Sequence, residues 1–154
     1  MKTTSLLIAC LLVLGLQNGH SQQKSNGINK EKYNSNKAAE DNVGYTQAIK
    51  TGNTLYISGS VGWGDMPDAI RKAYDTLGKT LKAYGADFSN VVKENLYTTA
   101  LDSVIKHKEI RNSYYKNDFP AATWVEVKRL YNPGIVIEVE LVAMLPENKV
   151  KSHH

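Results

Sequence analysis

Two carboxylates near the C-terminal end are spaced as chemistry would need them. In "GIVIEVELVAML", Gly134–Leu145, Glu138 and Glu140 alternate with Ile137, Val139 and Leu141. Successive side chains of a strand point to opposite faces. The apolar row Ile135, Ile137, Val139, Leu141 and Ala143 therefore faces a core, and both glutamates face away from it. A carboxylate on such a face can close an ion pair at an interface, and acid–base chemistry is open to it. Period-two reading of the preceding "AATWVEVKRL" assigns Val125 and Val127 to the core row and leaves Ala122, Trp124, Glu126 and Lys128 on the far face. Trp124 and Val136 would then sit in water, so this face is expected to meet a partner. Metal chemistry finds no support: His107 has no companion at ligand spacing, and His153 and His154 end the chain.

The elements that must hold these residues follow from periodicity. "GYTQAIKTGNTLYISGS" carries two β-friendly runs around Thr51-Gly52-Asn53 and predicts a hairpin, with Leu55 and Ile57 on one face. From Asp65, with Pro67 in the first turn, Ile70, Ala73, Tyr74, Leu77, Leu81 and Tyr84 recur at helical spacing until Gly85. Gly78 inside this helix points to a close approach to another backbone. A strand over Asn90–Ala100 separates Val92, Glu94, Leu96 and Thr98 from Val91, Lys93, Asn95 and Tyr97. A second helix, capped by Asp102, carries Val104, Ile105, Ile110 and Tyr114 as its apolar side. Two strands close the domain, 122–130 and 135–145, joined by "YNPG". Hairpin, helix, strand, helix, hairpin predicts an α+β domain with one sheet and both helices on one face.

The ends read differently. Residues 1–21, with Lys2 and an apolar run from Leu6 to Leu16, have the pattern of a secretory signal peptide cut after Ser21. Export to the periplasm or the medium is the expectation. A lipid anchor through Cys10, the one cysteine, is the alternative. Cleavage would leave no cysteine, which excludes disulfides and thiol catalysis. It would also lower the net charge from +4 to +3, spread without a basic run, which argues against nucleic acid. Residues 22–40 are polar and aperiodic and read as a flexible tether, as do 147–154 for a tail. One domain, 41–146, remains.

"GYTQAI", "YISG", "FPAATWVEVKRL" and "IVIEVELVA", in this order and at these separations, resemble the Rid family, also called the YjgF or endoribonuclease L-PSP family. The resemblance runs over about 43–144. It implies a chorismate-mutase-like mixed sheet and a homotrimer whose sheets line a barrel, with small-molecule clefts between subunits. It also implies hydrolysis of imines such as 2-iminobutanoate and 2-iminopropanoate to 2-oxo acids and ammonia, with no cofactor. By position, Tyr45 matches the aromatic that lines the cleft, Gly59 the backbone beside the substrate, and Glu138 the carboxylate that orients water. Ala122 stands where deaminating members carry the Arg that grips the substrate carboxylate. Trp124 is larger than the residue usual at its place, and Lys108 stands where those members tend to have Asn.

A charged hydrogen bond is worth about 1.5–3 kcal/mol, so losing that Arg is expected to weaken or shift the activity. Lys108, Lys128 and Arg129 are candidates to replace it. The resulting expectation is an exported homotrimer that binds or acts on a small metabolite, a carboxylate or an imine, and meets neither nucleic acid nor, once processed, a membrane. A functional enamine/imine deaminase is the alternative, and an endoribonuclease is the weaker third reading.

Overall fold

The computed structural model describes residues 27–146; the expected signal peptide and C-terminal tail lie outside these residues. Elements follow in the order β1 (Glu31–Tyr33), α1 (Lys37–Val43), β2 (Ala48–Thr51), β3 (Thr54–Trp63), α2 (Met66–Ala83), β4 (Val91–Thr98), α3 (Leu101–Lys106), α4 (Lys108–Tyr115), β5 (Ala121–Glu126) and β6 (Ile135–Met144). The six strands form one sheet in the order β1-β2-β3-β6-β4-β5. All pairings are antiparallel except β4 with β5. This is the mixed-sheet α+β class that the sequence predicts.

The core lies between the sheet and α2, where Ile70, Ala73, Tyr74, Leu77 and Leu81 are buried against Leu55, Ile57, Leu96, Ile137, Val139 and Leu141. The helix stops where its apolar period ends, with Gly85 in the left-handed region at φ 68°. In the hairpin Thr51 pairs with Thr54, which leaves Gly52-Asn53 as the turn, with Gly52 at φ 59°. A Cβ added at Gly78 would meet the ring of Phe88 at 3.4 Å, a side chain and not the expected backbone. The close backbone approach is at Gly62 instead, where an added Cβ would overlap the carbonyl of Ala69 in the first turn of α2.

Three expectations need correction. Part of the predicted tether is folded: β1 pairs with β2, and α1 begins with Asn36 accepting from Ala39 N. The anchor is Glu40, fully buried, whose carboxylate accepts from Asn34 Nδ2 (2.6 Å), Ser35 Oγ (3.2 Å), Asn36 N (2.8 Å) and Gln47 N (2.9 Å). A polar network does here what apolar residues do elsewhere. The second helix is broken at His107 (φ −110°, ψ 19°) into α3 and α4 and is not capped by Asp102; instead Glu126 Oε2 accepts from Leu101 N at 2.7 Å.

The third correction concerns β5. It ends at Glu126 and not near Leu130, and its faces are the reverse of the period-two assignment. Trp124 pairs with Leu96 and Ala122 with Glu94, both core-facing positions, whereas Val125 pairs with Tyr97 and is exposed. Trp124 therefore packs on the helix side. The alternation offered two rows, one with two valines and one with a tryptophan, and apolarity favoured the valines. A buried carboxylate at Glu94 that needs the indole N–H decides the other way.

Candidate functional site

Tyr45, Gly59 and Glu138 line one cavity of about 380 Å³, together with Val61, Tyr131 and Ile135. Each is placed by a local device. The Glu40 network fixes the end of α1, where Gly44 N and Tyr45 N both donate to Glu40 O (2.8 and 3.1 Å) and Gly44 turns the chain at φ 91°. That turn aims Tyr45 at the open face of the sheet. Gly59 lies in a bulge of β3 against β6, between the pairs Ile57–Leu141 and Ser60–Val139. An added Cβ at Gly59 would overlap Glu138 Oε1 and come within 2.7 Å of Glu138 Cδ. The glycine thus makes room for the carboxylate to lie on the strand.

The electrostatics of this cleft are acidic. Burial, and then repulsion from Glu140, hold the Glu138 carboxyl above its usual range. Tyr45 is likewise pushed up, by burial and then by Glu40 and Glu138. Glu40 is the opposite case: burial alone would raise it, but its four hydrogen bonds prevail and bring it down to about 2. Beside Glu138, Glu140 accepts from Asn95 Nδ2 at 2.7 Å and from Tyr97 Oη at 3.3 Å. A neighbouring cavity of about 250 Å³ is bounded by Tyr56, Lys93, Asn95 and Glu140. Among the described residues no group of His, Cys, Asp and Glu has metal-binding geometry.

Ala122 and Trp124 are not in this cleft. Glu138 is in register with Tyr97 and hence with Val125, on the open face, while Ala122 lies two strands from β6 and on the helix side. One protomer cannot bring position 122 to Glu138. The candidate substitute cations Lys108, Lys128 and Arg129 are solvent-exposed and do not line the cavity.

A second polar cluster escaped the sequence reading. Glu94, fully buried, accepts from Arg111 Nε (3.2 Å) and Nη2 (3.0 Å), Tyr74 Oη (2.8 Å), Tyr115 Oη (2.7 Å) and Trp124 Nε1 (3.0 Å). The Arg111 guanidinium lies against the rings of Tyr115 (4.4 Å), Phe119 (5.3 Å) and Trp124 (5.4 Å). Burial works against its charge, but the Glu94 carboxylate prevails and keeps it above its ordinary value. This is the guanidinium next to position 122, and it is locked. The available signal was the row that places Glu94 with Leu96, a carboxylate on an apolar face, which implies a buried partner.

A single mixed sheet with α2 packed on one face and a cleft lined by Glu138 on the other defines the class: an α+β protein whose open sheet face carries the candidate site. The family described as Endoribonuclease L-PSP matches residues 35–145, and the chain belongs to that family, the Rid or YjgF family of the sequence resemblance. It is similar to human 2-iminobutanoate/2-iminopropanoate deaminase, 34% identical over 109 residues that cover 65% of this chain and 79% of that protein. A RutC family protein of Pyrococcus horikoshii is 32% identical, over 64% of this chain and 85% of its own. A YjgF/YER057c/UK114 family structure from Mycobacterium tuberculosis superposes with a TM-score of 0.70 at 26% identity, covering 76% of this chain and all of the other.

Proposed function

We propose that the protein is an exported homotrimer that binds a small metabolite in clefts between copies, and that it hydrolyses 2-imino acids weakly or has shifted to another imine. The observation that carries this reading is the split site: Tyr45, Gly59 and Glu138 share a cavity, while the position facing them from a second copy in this family's arrangement, Ala122, holds no cation. Arg111, which pairs with Glu94 on the strand beside Ala122, is taken up by that carboxylate. Self-association accounts for the open sheet face, where Tyr56, Val125 and Met144 are exposed. Export follows from the N-terminal pattern in the sequence alone.

The chemistry open to the cleft is simple. Water bonds to the imine carbon as the C=N π pair moves to nitrogen, and one water proton passes to Glu138. Glu138 returns that proton to nitrogen, then takes the hydroxyl proton and passes it to the same nitrogen as the carbon–nitrogen bond breaks and the carbonyl forms, so that both water protons leave with ammonia. A raised carboxyl pKa brings Glu138 nearer the range in which a group both takes and returns a proton.

An ordinary 2-iminobutanoate/2-iminopropanoate deaminase is the second reading, favoured by the intact trio and by the named activity of a 34% identical relative. The experiment generates 2-iminobutanoate in situ and follows its consumption by the wild type and by Ala122→Arg. Wild-type turnover well below that of an Arg-bearing relative, and a gain of about tenfold on Ala122→Arg, are expected, since about 1.4 kcal/mol of charged hydrogen bonding suffices. Wild-type turnover equal to that relative's would overturn the first reading in favour of the second.

A further inference from the structure

We infer that the cleft around Glu138 selects a cationic nitrogen, an amine or an iminium ion, carried on an aromatic or aliphatic body without a carboxylate. This rests on the reading of that cleft as the ligand site and names the ligand class. The walls are Val43, Tyr45, Val61, Tyr131 and Ile135, with Glu138 on the floor. Val61 and Ile135 also bound an adjoining cavity of about 390 Å³ that ends at Trp63. Tyr131 and Trp63 are 77% and 53% exposed on the single protomer, aromatic surface at the cavity mouth that a ligand body or a second copy can cover. The space therefore suits a body larger than the two- or three-carbon tail of a small imino acid.

Charge points the same way. Glu138 is the one ionised side chain among the lining residues of the two cavities. The groups that bear on it are Glu140 on its own strand, Tyr97 on β4 and Tyr45 beyond α1, with Glu40 behind Tyr45. All are acidic or neutral. Lys72 and Lys93 keep their charge but stand outside the lining of both cavities: Lys72 Nζ is 3.1 Å from Trp63 O and 5.0 Å from its ring, and Lys93 Nζ is 2.9 Å from Thr123 Oγ1. A ligand carboxylate would enter this field against Glu138, whereas a cationic nitrogen would relieve the repulsion between Glu138 and Glu140 and lie among π faces that attract it. Because Glu138 must be ionised to hold the cation, binding strengthens as pH rises through the elevated pKa of that carboxyl and weakens below it.

Calorimetric titration of the assembled protein with benzyltrimethylammonium, phenylacetate and neutral benzyl alcohol tests the inference, since the three share a ring and differ in charge. The cation is expected to bind at least about tenfold more tightly than phenylacetate. Glu138→Gln should remove that preference while leaving benzyl alcohol within about twofold, and Tyr131→Ala should weaken cation and alcohol together. Phenylacetate binding as tightly as the cation overturns the charge selection and leaves the cleft reading standing. A cation preference that survives Glu138→Gln also overturns it. If none of the three probes binds, this inference falls, and turnover of 2-iminobutanoate by the same protein decides separately whether the cleft is a ligand site.

Discussion

Replacing Arg111 by Met separates two roles that a guanidinium near position 122 could have. Met keeps the length of the side chain and its place among Tyr115, Phe119 and Trp124 but removes the charge. Glu94 would then stay fully buried with three neutral donors, Tyr74, Tyr115 and Trp124, and no counter-charge. Stripping one partner from a buried ion pair costs about 3–5 kcal/mol, and the surviving hydrogen bonds favour the lower end of that range. At roughly 4 °C per kcal/mol for a domain of this size, the melting midpoint should fall by about 12–16 °C. Glu94→Gln in the same chain, which keeps an acceptor without a charge, should restore about half of that loss or more. Thermal and urea unfolding at matched protomer concentration measure the effect, with KM for 2-iminobutanoate read on the same samples. A midpoint within about 3 °C of wild type, joined to a KM raised tenfold or more, would refute the reasoning: Arg111 would then be the relocated grip on substrate and not a lock on Glu94.

Further tests address the cleft and its supports. Gly59→Ala should displace the Glu138 carboxylate, which occupies the space of the added methyl, and lower imine hydrolysis at least about tenfold while costing roughly 1–3 kcal/mol of stability; full activity in the variant would separate Glu138 from the reaction. Glu40 is held at about 2 against an ordinary 4.5, so its contribution to stability is complete above about 4.5 and is lost as the pH falls toward 2. Glu40→Gln should therefore be less stable than wild type at neutral pH and decline less steeply over that acid window, as unfolding midpoints between pH 2 and 7 will record. Trp124→Phe removes one donor to Glu94 but keeps the ring, and should lower stability by about 1–2 kcal/mol in a denaturant titration without changing ligand affinity.

Regular alternation and helical period made the centre of the fold legible. The row from Ile137 to Ala143 and the α2 face from Ile70 to Leu81 are buried as the spacing requires, and Glu138 and Glu140 fall on the opposite face of β6. What stayed hidden rests on polar side chains, whose burial shows in the sequence only where, as at Glu94, an apolar row surrounds them. Asn34, Ser35 and Asn36 look like tether residues until Glu40 gathers them, and only then is it clear that Tyr45 is aimed from a folded segment. The faces of β5 turned on a hydrogen bond from Trp124 to a residue thirty positions earlier, beyond the reach of local alternation. A bulge near Val91 inverted part of β4 as well, so that Val91 is buried and Val92 exposed. The split of Ala122 from the Tyr45–Gly59–Glu138 group followed from that β5 register, since a single residue's shift in strand reading moves it to the other side of the sheet.

The strand β1 and the helix α1 also set where the protein can be cut. A boundary drawn at Asp41, where apolar sequence becomes dense, would remove β1 and leave the outer edge of β2 bare along Ala48, Ile49 and Lys50. It would also delete Glu40 and the donors that close the start of the domain, Asn34 and Ser35. An unpaired edge of that kind recruits strands from other chains. A fragment beginning at Asp41 is therefore a candidate for aggregation, whereas one beginning ahead of Glu31 keeps β2 paired and ends the sheet on a three-residue edge strand that carries Glu31 and Lys32.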